Sequence, residues 1–293
     1  MKKWISYGEE ALSFSIPDKM PCYELFPNEV TIPQDSQSVI FDALKNPVGC
    51  SLESLVSPEK RVCIISDDVS RPTPVHKILA VLLPYLYELG IRQENIYFVM
   101  ALGSHRHMTQ AEIDTKLGAD TARNYRVYQS SFADPEELLD LGCTEGDNVK
   151  ITVYRRVMES DIRIGIGNIV PHNTLGWSGG SKILFPGVTS EETVSKFHTK
   201  AMLQSTGRVF GVPENDIRRS VERWAEKIGL HFIINTILDR HAHIYRVAAG
   251  DYIQAHRRGI EYAKEVYCVP MPGKADIVIA DSHPSDCDFL QGT

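Results

Sequence analysis

Arg61-Val62-Cys63-Ile64-Ile65-Ser66-Asp67-Asp68-Val69-Ser70-Arg71-Pro72-Thr73-Pro74 is the stretch on which the fold is decided. Its first five residues form a short apolar run of the kind buried in a parallel sheet. A polar loop, 67–74, follows, and then Val75, Ile78, Leu79, Leu82, Leu83 and Leu86 recur at helical spacing. Pro74 suits the first turn of that helix, Gly90 is placed to end it, and Pro84 inside it predicts a kink. The same strand, loop and helix recur at Ile96-Tyr97-Phe98-Val99-Met100, where Thr109 and Glu112 then read as a capping box. Ile162-Arg163-Ile164-Gly165-Ile166 is a third strand, and Thr189 with Glu192 is predicted to cap the helix carrying Phe197 and His198. His231-Phe232-Ile233-Ile234 and Asp276-Ile277-Val278-Ile279-Ala280 are predicted as later strands. The alternation predicts an α/β fold with a Rossmann-like, mostly parallel sheet.

The chain has 293 residues, enough for one large or two modest domains, and 43% hydrophobic residues can fill a core of that size. A net charge of −7 argues against extended contact with nucleic acid or an anionic membrane and favours small-molecule partners. Six cysteines are scattered without a CxxC pair, and Cys63 and Cys268 lie in apolar surroundings expected of buried thiols. The beginning, Met1-Lys2-Lys3-Trp4, lacks the apolar core of a signal peptide, and no run reaches membrane-spanning length, so a reducing cytoplasm is the expected location. There is no internal repeat. Val269-Pro270-Met271-Pro272-Gly273-Lys274 is the best linker, because two prolines and a glycine interrupt helix there.

Open parallel sheets bind ligands beyond the carboxyl ends of their strands, and three unusual loops occupy such positions. They are 67–74, then Gly103-Ser104-His105-Arg106-His107-Met108-Thr109, and then Pro171-His172-Asn173-Thr174-Leu175-Gly176-Trp177-Ser178-Gly179-Gly180-Ser181-Lys182-Ile183-Leu184-Phe185-Pro186-Gly187. In the third, glycines allow close backbone approach to a ligand, and Lys182 supplies a phosphate partner or a nucleophilic amine. It is not a Walker A loop, since Ser181 stands where the glycine before the lysine belongs. Each residue also has a plainer reading. Asp67 and Asp68 suit a helix cap, Arg71 a surface ion pair, His105 and His107 a solvated turn, and His198 a core position. His241-Ala242-His243 has no comparable company and reads as structural.

Taken together, Asp-Asp-x-Ser-Arg-Pro-Thr-Pro, Gly-x-His-Arg-x-x-Thr and His-x(5)-Ser-Gly-Gly-x-Lys-x(3)-Pro-Gly resemble the nickel-dependent lactate racemase, or LarA-like, family in the family's own order. The resemblance implies a racemase or epimerase of a 2-hydroxy acid. Its cofactor would be a nickel-pincer nucleotide, a pyridinium mononucleotide with two sulfur-containing arms around nickel, tethered to Lys182. His198, sixteen residues further on, matches the nickel ligand, and soft sulfur with imidazole suits nickel. His105 and His172 match the two general acid/base histidines and Arg71 the carboxylate-binding arginine. Asp68 matches the adjacent acidic position, and Ser178, Gly179 and Gly180 are expected to approach the cofactor. Hydride leaves Cα for the cofactor and returns to the other face of a 2-keto acid, which avoids a carbanion beside a carboxylate. The enzymes that synthesise the cofactor would be transient partners.

Three features depart from the family pattern. Leu175-Gly176-Trp177 stands where many relatives have Ala-Gly-Phe, Ser70 replaces a threonine, and His107 lies outside the general pattern. The resemblance divides the chain into a cofactor-binding domain over 1–272 and the start of a smaller α/β lid domain over 273–293. Gln291 matches a substrate-binding position, while the lysine expected three residues later would fall after Thr293, so the sequence reads as a fragment expected to turn over little. Two other classes stay open. One is a metal-dependent hydrolase built on His105, His107 and Asp67 or Asp68, and the other a non-catalytic relative that only binds the cofactor.

Overall fold

The computed structural model describes residues 1–7, 10–203 and 209–281. The chain divides into two compact units, one comprising Met1–Pro27 and Val269–Thr293 and the other Asn28–Cys268. In the first, β1 (Lys2–Tyr7) and β2 (Glu10–Ser15) pair antiparallel, and the Ser6 N–H donates to the Asp281 carboxylate at 2.9 Å. The segment 276–280, predicted as a strand, forms none. Ile277, Val278 and Ile279 are exposed, and no described segment pairs with them, so their apolar pattern has no ladder to join. Gln291 and Cys287 lie outside the described residues.

The second unit opens with α1 (Ser36–Lys45) and α2 (Leu52–Leu55), followed by β3 (Val62–Asp67), α3 (Val75–Glu88), β4 (Ile96–Ala101), α4 (Gln110–Leu117), α5 (Ala119–Asn124) and β5 (Arg126–Gln129). A hairpin of β6 (Leu138–Cys143) and β7 (Lys150–Tyr154) and the short α6 (Arg155–Met158) lead to β8 (Ile162–Asn168). Two-residue strands β9 (Pro171–His172) and β10 (Gly176–Trp177) come next, then α7 (Glu191–Met202), α8 (Asp216–Ile228), β11 (Phe232–Leu238), β12 (Ile244–Gly250) and α9 (Gln254–Tyr267). The six-stranded sheet has the order β12-β11-β8-β3-β4-β5, parallel throughout except for β12, which runs antiparallel to β11. This is the mostly parallel α/β sheet expected from the sequence.

Alternate residues of β3 enter different cores. Val62 and Ile64 pack with α1 and α3 on one face, while Cys63 and Ile65 pack on the other with Phe185, Trp224 and Ile233. Burial on both faces is why the strand reads as unbroken apolar sequence. From β3 the chain winds outward through β4 to β5, then returns to the other side of β3 as β8. The carboxyl ends of β3 and β8 therefore flank the switch point of the sheet, where open α/β folds bind ligands.

Local signals held in part. Thr109 and Glu112 form both arms of the capping box at α4. The cap of α7 is Ser190 rather than Thr189, because Ser190 is extended and its hydroxyl accepts from the Thr193 N–H, whereas the Thr189 hydroxyl donates to the Pro186 carbonyl. Neither Asp67 nor Asp68 caps α3, whose first turn has no side-chain cap. Cys63 is buried as expected, but Cys268 follows the last turn of α9 and is exposed. Gly165 within β8 has a packing reason. A Cβ there would stand 2.8 Å from Ile183 Cγ2, so glycine lets the turn beside Lys182 lie on the strand. Gly165→Ala is expected to cost about 1–3 kcal/mol in urea unfolding, and adding Ile183→Ala should recover part of that loss.

Candidate active site

Asp67 and Asp68, at the end of β3, serve two separate neighbours. Asp67 Oδ1 lies 2.7 Å from Lys116 Nζ of α4, and the Thr73 hydroxyl donates to Oδ2. Burial pushes the Asp67 carboxyl up and Lys116 opposes the rise. Lys116 also donates to the Arg71 carbonyl at 2.9 Å, which ties the first loop to the helix that follows the second. Asp68 accepts from the Ser70 N–H at 2.9 Å, and its Oδ2 is 2.6 Å from His105 Nδ1. Burial would raise the Asp68 carboxyl, but the hydrogen bonds with His105 and Ser70 outweigh it and hold it below its ordinary value.

The second loop is tied to the third as well. Gly103 N–H and the Ser130 hydroxyl both donate to the Gly187 carbonyl, at 2.9 and 3.0 Å. His105 is half-buried, while His107 is exposed and Arg106 points to Glu112 at 2.6 Å. The third loop begins with the β9–β10 hairpin, where His172 pairs with Gly176. His172 Nδ1 lies 3.2 Å from the Thr174 N–H and 3.0 Å from its hydroxyl, so exchange with a ligand falls to Nε2. Burial drives the His172 imidazole well below its usual range, and Lys182, Arg71, Arg218 and His198 push it further.

Lys182 sits on the 3-10 turn Gly180–Ile183. Loss of hydration first, then the Arg71 and Arg218 guanidiniums, depress its amine to about 7, with Asp68 and Asp67 opposing. His198, exposed on α7 rather than in the core, is lowered by partial desolvation and then by Lys182. Charges act on one another this strongly only at short range inside a protein. Arg71, His172, Lys182 and His198 therefore act on one another's charges, and Asp68, which acts on Lys182, is bonded to His105. The Asp68–His105 and Gly103–Gly187 bonds link the three loops in series.

Much of the hydrogen-bonding capacity of Ser178, Gly179 and Gly180, just before Lys182, is engaged within the chain. The Ser178 hydroxyl donates to the Asn168 carbonyl at 2.9 Å and accepts from the Val170 N–H at 2.9 Å. At Gly180 φ is +60° and a Cβ would meet the His256 ring at 2.9 Å, so a side chain is excluded there by the fold itself. Beside them Ser181 Oγ is buried without a hydrogen-bond partner among the described residues.

Sequence reading missed three buried side chains that hold this stretch of backbone. Arg218 of α8 donates to the Trp177 carbonyl and, at 3.2 Å, to that of Gly179. His256 of α9 lies 2.8 Å from the Ser178 carbonyl, and Asn235 of β11 accepts from the Gly180 N–H at 2.8 Å. A signal was present: Arg218 falls between Ile217 and Val221 on the buried face of α8, and His256 between Ala255 and Ile260 on that of α9. His241 and His243 instead close the β11–β12 turn on Asp239, as a structural pair would.

Among the described residues no three His, Cys, Asp or Glu side chains stand together as a metal-binding group. The hydrolase ligand set is not assembled, with Asp67 engaged by Lys116 and His107 exposed. No described helix is long and apolar enough to cross a membrane.

The sheet, its switch point and the convergent loops describe an α/β ligand-binding domain, and comparison with known proteins gives its family. The profile of the lactate racemase N-terminal domain matches residues 7–211, and the chain belongs to that family. It is 29% identical over 295 residues to lactate racemases of Thermoanaerobacterium thermosaccharolyticum and Lactiplantibacillus plantarum, covering 98% of this chain and 68% of each of those. The lactate racemase apoprotein structure from T. thermosaccharolyticum superposes with a TM-score of 0.77 at 27% identity, over 91% of this chain and 63% of that one. A Thermotoga maritima protein of known structure gives a TM-score of 0.66 at 27% identity, over 79% and 59% of the two chains. The chain thus spans about three fifths of the solved chains it matches.

The depressed Lys182 amine carries a stability signature. Between about pH 7 and the ordinary 10.5 the folded protein binds fewer protons than the unfolded chain, so this group makes stability rise with pH across that window. Lys182→Met is expected to remove that slope and to be more stable than the parent protein below pH 7. Urea midpoints taken on both sides of the window, for parent and variant, check the sign.

Proposed function

We propose that this chain is the cofactor-binding part of a 2-hydroxy-acid racemase or epimerase that works with a nickel-pincer nucleotide tethered at Lys182. Lactate, the substrate in the relatives' name, is the first candidate. The observation that carries the reading is the Lys182 amine, depressed to about 7 with Arg71 acting against it, while Lys182 in turn lowers both His172 and His198. The residues fit such a group. A partly neutral amine can form a covalent bond at neutral pH, a His198 imidazole of lowered basicity is available to a metal, and Ser181 Oγ lacks a partner within the described residues.

Lys182 would tether the cofactor and His198 would ligate its nickel, with Ser178, Gly179 and Gly180 forming the floor beneath. Bound there, the group supplies a hydride acceptor for the substrate Cα. Arg71 presents a planar fork of donors to the substrate carboxylate, its loop held by the Lys116 bond to its carbonyl. His105, oriented by Asp68 through Nδ1, exchanges the hydroxyl proton at Nε2. His172 serves the other enantiomer through its own Nε2. The Thr174 hydroxyl beside Nδ1 can donate to the neutral ring or accept from the protonated one. Residues from 273 onward would begin a lid, with Gln291 on the substrate. The cofactor-synthesis enzymes would be transient partners in the cytoplasm.

The test is the full-length protein co-produced with the cofactor-synthesis enzymes, analysed by intact mass and metal content. A mass adduct mapped to Lys182 with bound nickel is expected, and Lys182→Ala should lose both along with racemisation. An unmodified Lys182 and no nickel, under conditions that load the T. thermosaccharolyticum enzyme, would overturn the proposal. In loaded protein, Asp68→Asn should lower the racemisation rate by roughly 10²-fold or more, because His105 loses its charged partner. Chiral chromatography of the product acid measures it.

A further inference from the structure

Three buried side chains from three different elements bind the backbone of four successive residues. Arg218 is fully buried on α8, Asn235 is 2% exposed on β11, and His256 is fully buried on α9. Between them they satisfy the carbonyls of Trp177, Ser178 and Gly179 and the N–H of Gly180. Lys182 follows two residues later, on the turn that begins at Gly180. A loop whose polar groups are met by buried side chains, rather than by water, cannot shift without leaving those groups unsatisfied.

Arg218 is the unusual member. A guanidinium in the interior ordinarily has a carboxylate bonded to it, because an unpaired buried charge is costly. Here Nη1 and Nη2 donate to two main-chain carbonyls, and Nε, also buried, has no hydrogen-bond partner among the described residues. Glu222, one turn on, is bonded to Arg257 through both oxygens, and Glu214 is bonded to Arg257 Nε. His256 also touches Arg257, at 3.0 Å through Nδ1. The two carboxylates that act on Arg218 are thus each bonded to another arginine. Arg218 Nη2 and Nη1 hold the carbonyls on either side of the one that His256 holds.

We propose that Arg218, with Asn235 and His256, is a positioning residue for Lys182. It fixes the Trp177–Gly180 backbone before cofactor arrives, and it brings a permanent positive charge toward the lysine. The purpose assigned to that lysine rests on the proposed racemase reading, whereas the positioning itself is a property of the protein without cofactor. Lys182 is faced by Arg71, His172, His198, Asp67 and Asp68 as well as by Arg218, and Arg218 is the cation among them that also holds the loop.

Both effects are measurable in protein produced without cofactor-synthesis enzymes. Hydrogen exchange followed by mass spectrometry reads the amides of 176–184, and competitive acetylation by acetic anhydride across a pH series reads the Lys182 amine. In Arg218→Met, exchange of that segment should accelerate about tenfold or more with β4 unchanged. The midpoint of Lys182 acetylation should also move up by about one pH unit, a roughly tenfold loss of labelling near neutrality. Arg218→Lys, which keeps the charge but not the fork, should accelerate exchange while leaving the acetylation midpoint near that of the parent. Should Arg218→Met not fold, Arg218→Lys and His256→Asn still test the loop. Unchanged exchange at 176–184 in these two variants, with the parent acetylation midpoint retained in any folded variant lacking the charge, overturns the proposal. A failure of nickel or adduct to appear in loaded protein would instead count against the racemase reading, because neither measurement here uses the cofactor.

Discussion

Lys182 is a half-buried side chain whose ammonium is opposed by desolvation and by two guanidiniums, and the rest of the site is arranged around that condition. Arg71 comes from the loop after β3 and Arg218 from α8 beneath, and both act against the ammonium. The two aspartates that could neutralise the excess are already bound, Asp67 by Lys116 and Thr73, Asp68 by His105 and Ser70. They moderate the effect without cancelling it. The outcome is an amine that is partly free base at neutral pH and a surrounding field suited to anions, inside a chain whose net charge is −7. Net charge describes how the protein meets large partners and says little about one buried pocket.

That concentration of charge persists only because the scaffold opposes relaxation. The switch point of the sheet places the ends of β3 and β8 side by side, which sends the first and third loops into the same volume. Lys116 then fastens the first loop to α4, and the Gly187 carbonyl fastens the second loop to the third. Underneath, glycine at 165 lets Ile183 rest on β8, and the buried polar groups of α8, β11 and α9 hold the backbone just before the lysine. Each fastening uses hydrogen bonds in a low-dielectric interior, where leaving one unmade is costly. Rigidity here is a sum of many satisfied groups.

Much of this was legible in the sequence wherever the determining information is local. The apolar runs at 62–65, 96–100 and 162–166 are strands because both faces of a parallel sheet are covered, and periodicity records that burial directly. The three loops were legible too, since their histidines, glycines, arginine and lysine are compressed into short stretches. What depended on distant partners was not. Arg218 meets Trp177 across 41 residues and His256 meets Ser178 across 78, so nothing beside either residue names its partner. The strand expected at 276–280 failed for the same reason, because pairing is a property of two segments. The shift of the α7 cap from Thr189 to Ser190 is the smallest form of the problem: two adjacent hydroxyl residues fit the pattern, and the bond of the first to the Pro186 carbonyl leaves the second to meet the helix N–H.

In the proposed reaction the two histidines have unequal surroundings, and the inequality gives the substrate a task. Asp68 Oδ2 stands 2.6 Å from His105 Nδ1, whereas Lys182, Arg71, Arg218 and His198 all oppose a cation at His172. Without an anion in the pocket His172 is therefore held neutral and is a poor acceptor of a proton. A 2-hydroxy-acid carboxylate seated on Arg71 neutralises one of the opposing charges at close range and raises the basicity of His172 when its hydroxyl arrives. Carboxylate recognition and proton exchange are in this way the same electrostatic event at His172, whereas His105 has the Asp68 carboxylate beside it before any substrate arrives. An alcohol without the carboxylate would leave His172 opposed by all four neighbouring groups, which is a physical basis for restricting such a site to 2-hydroxy acids.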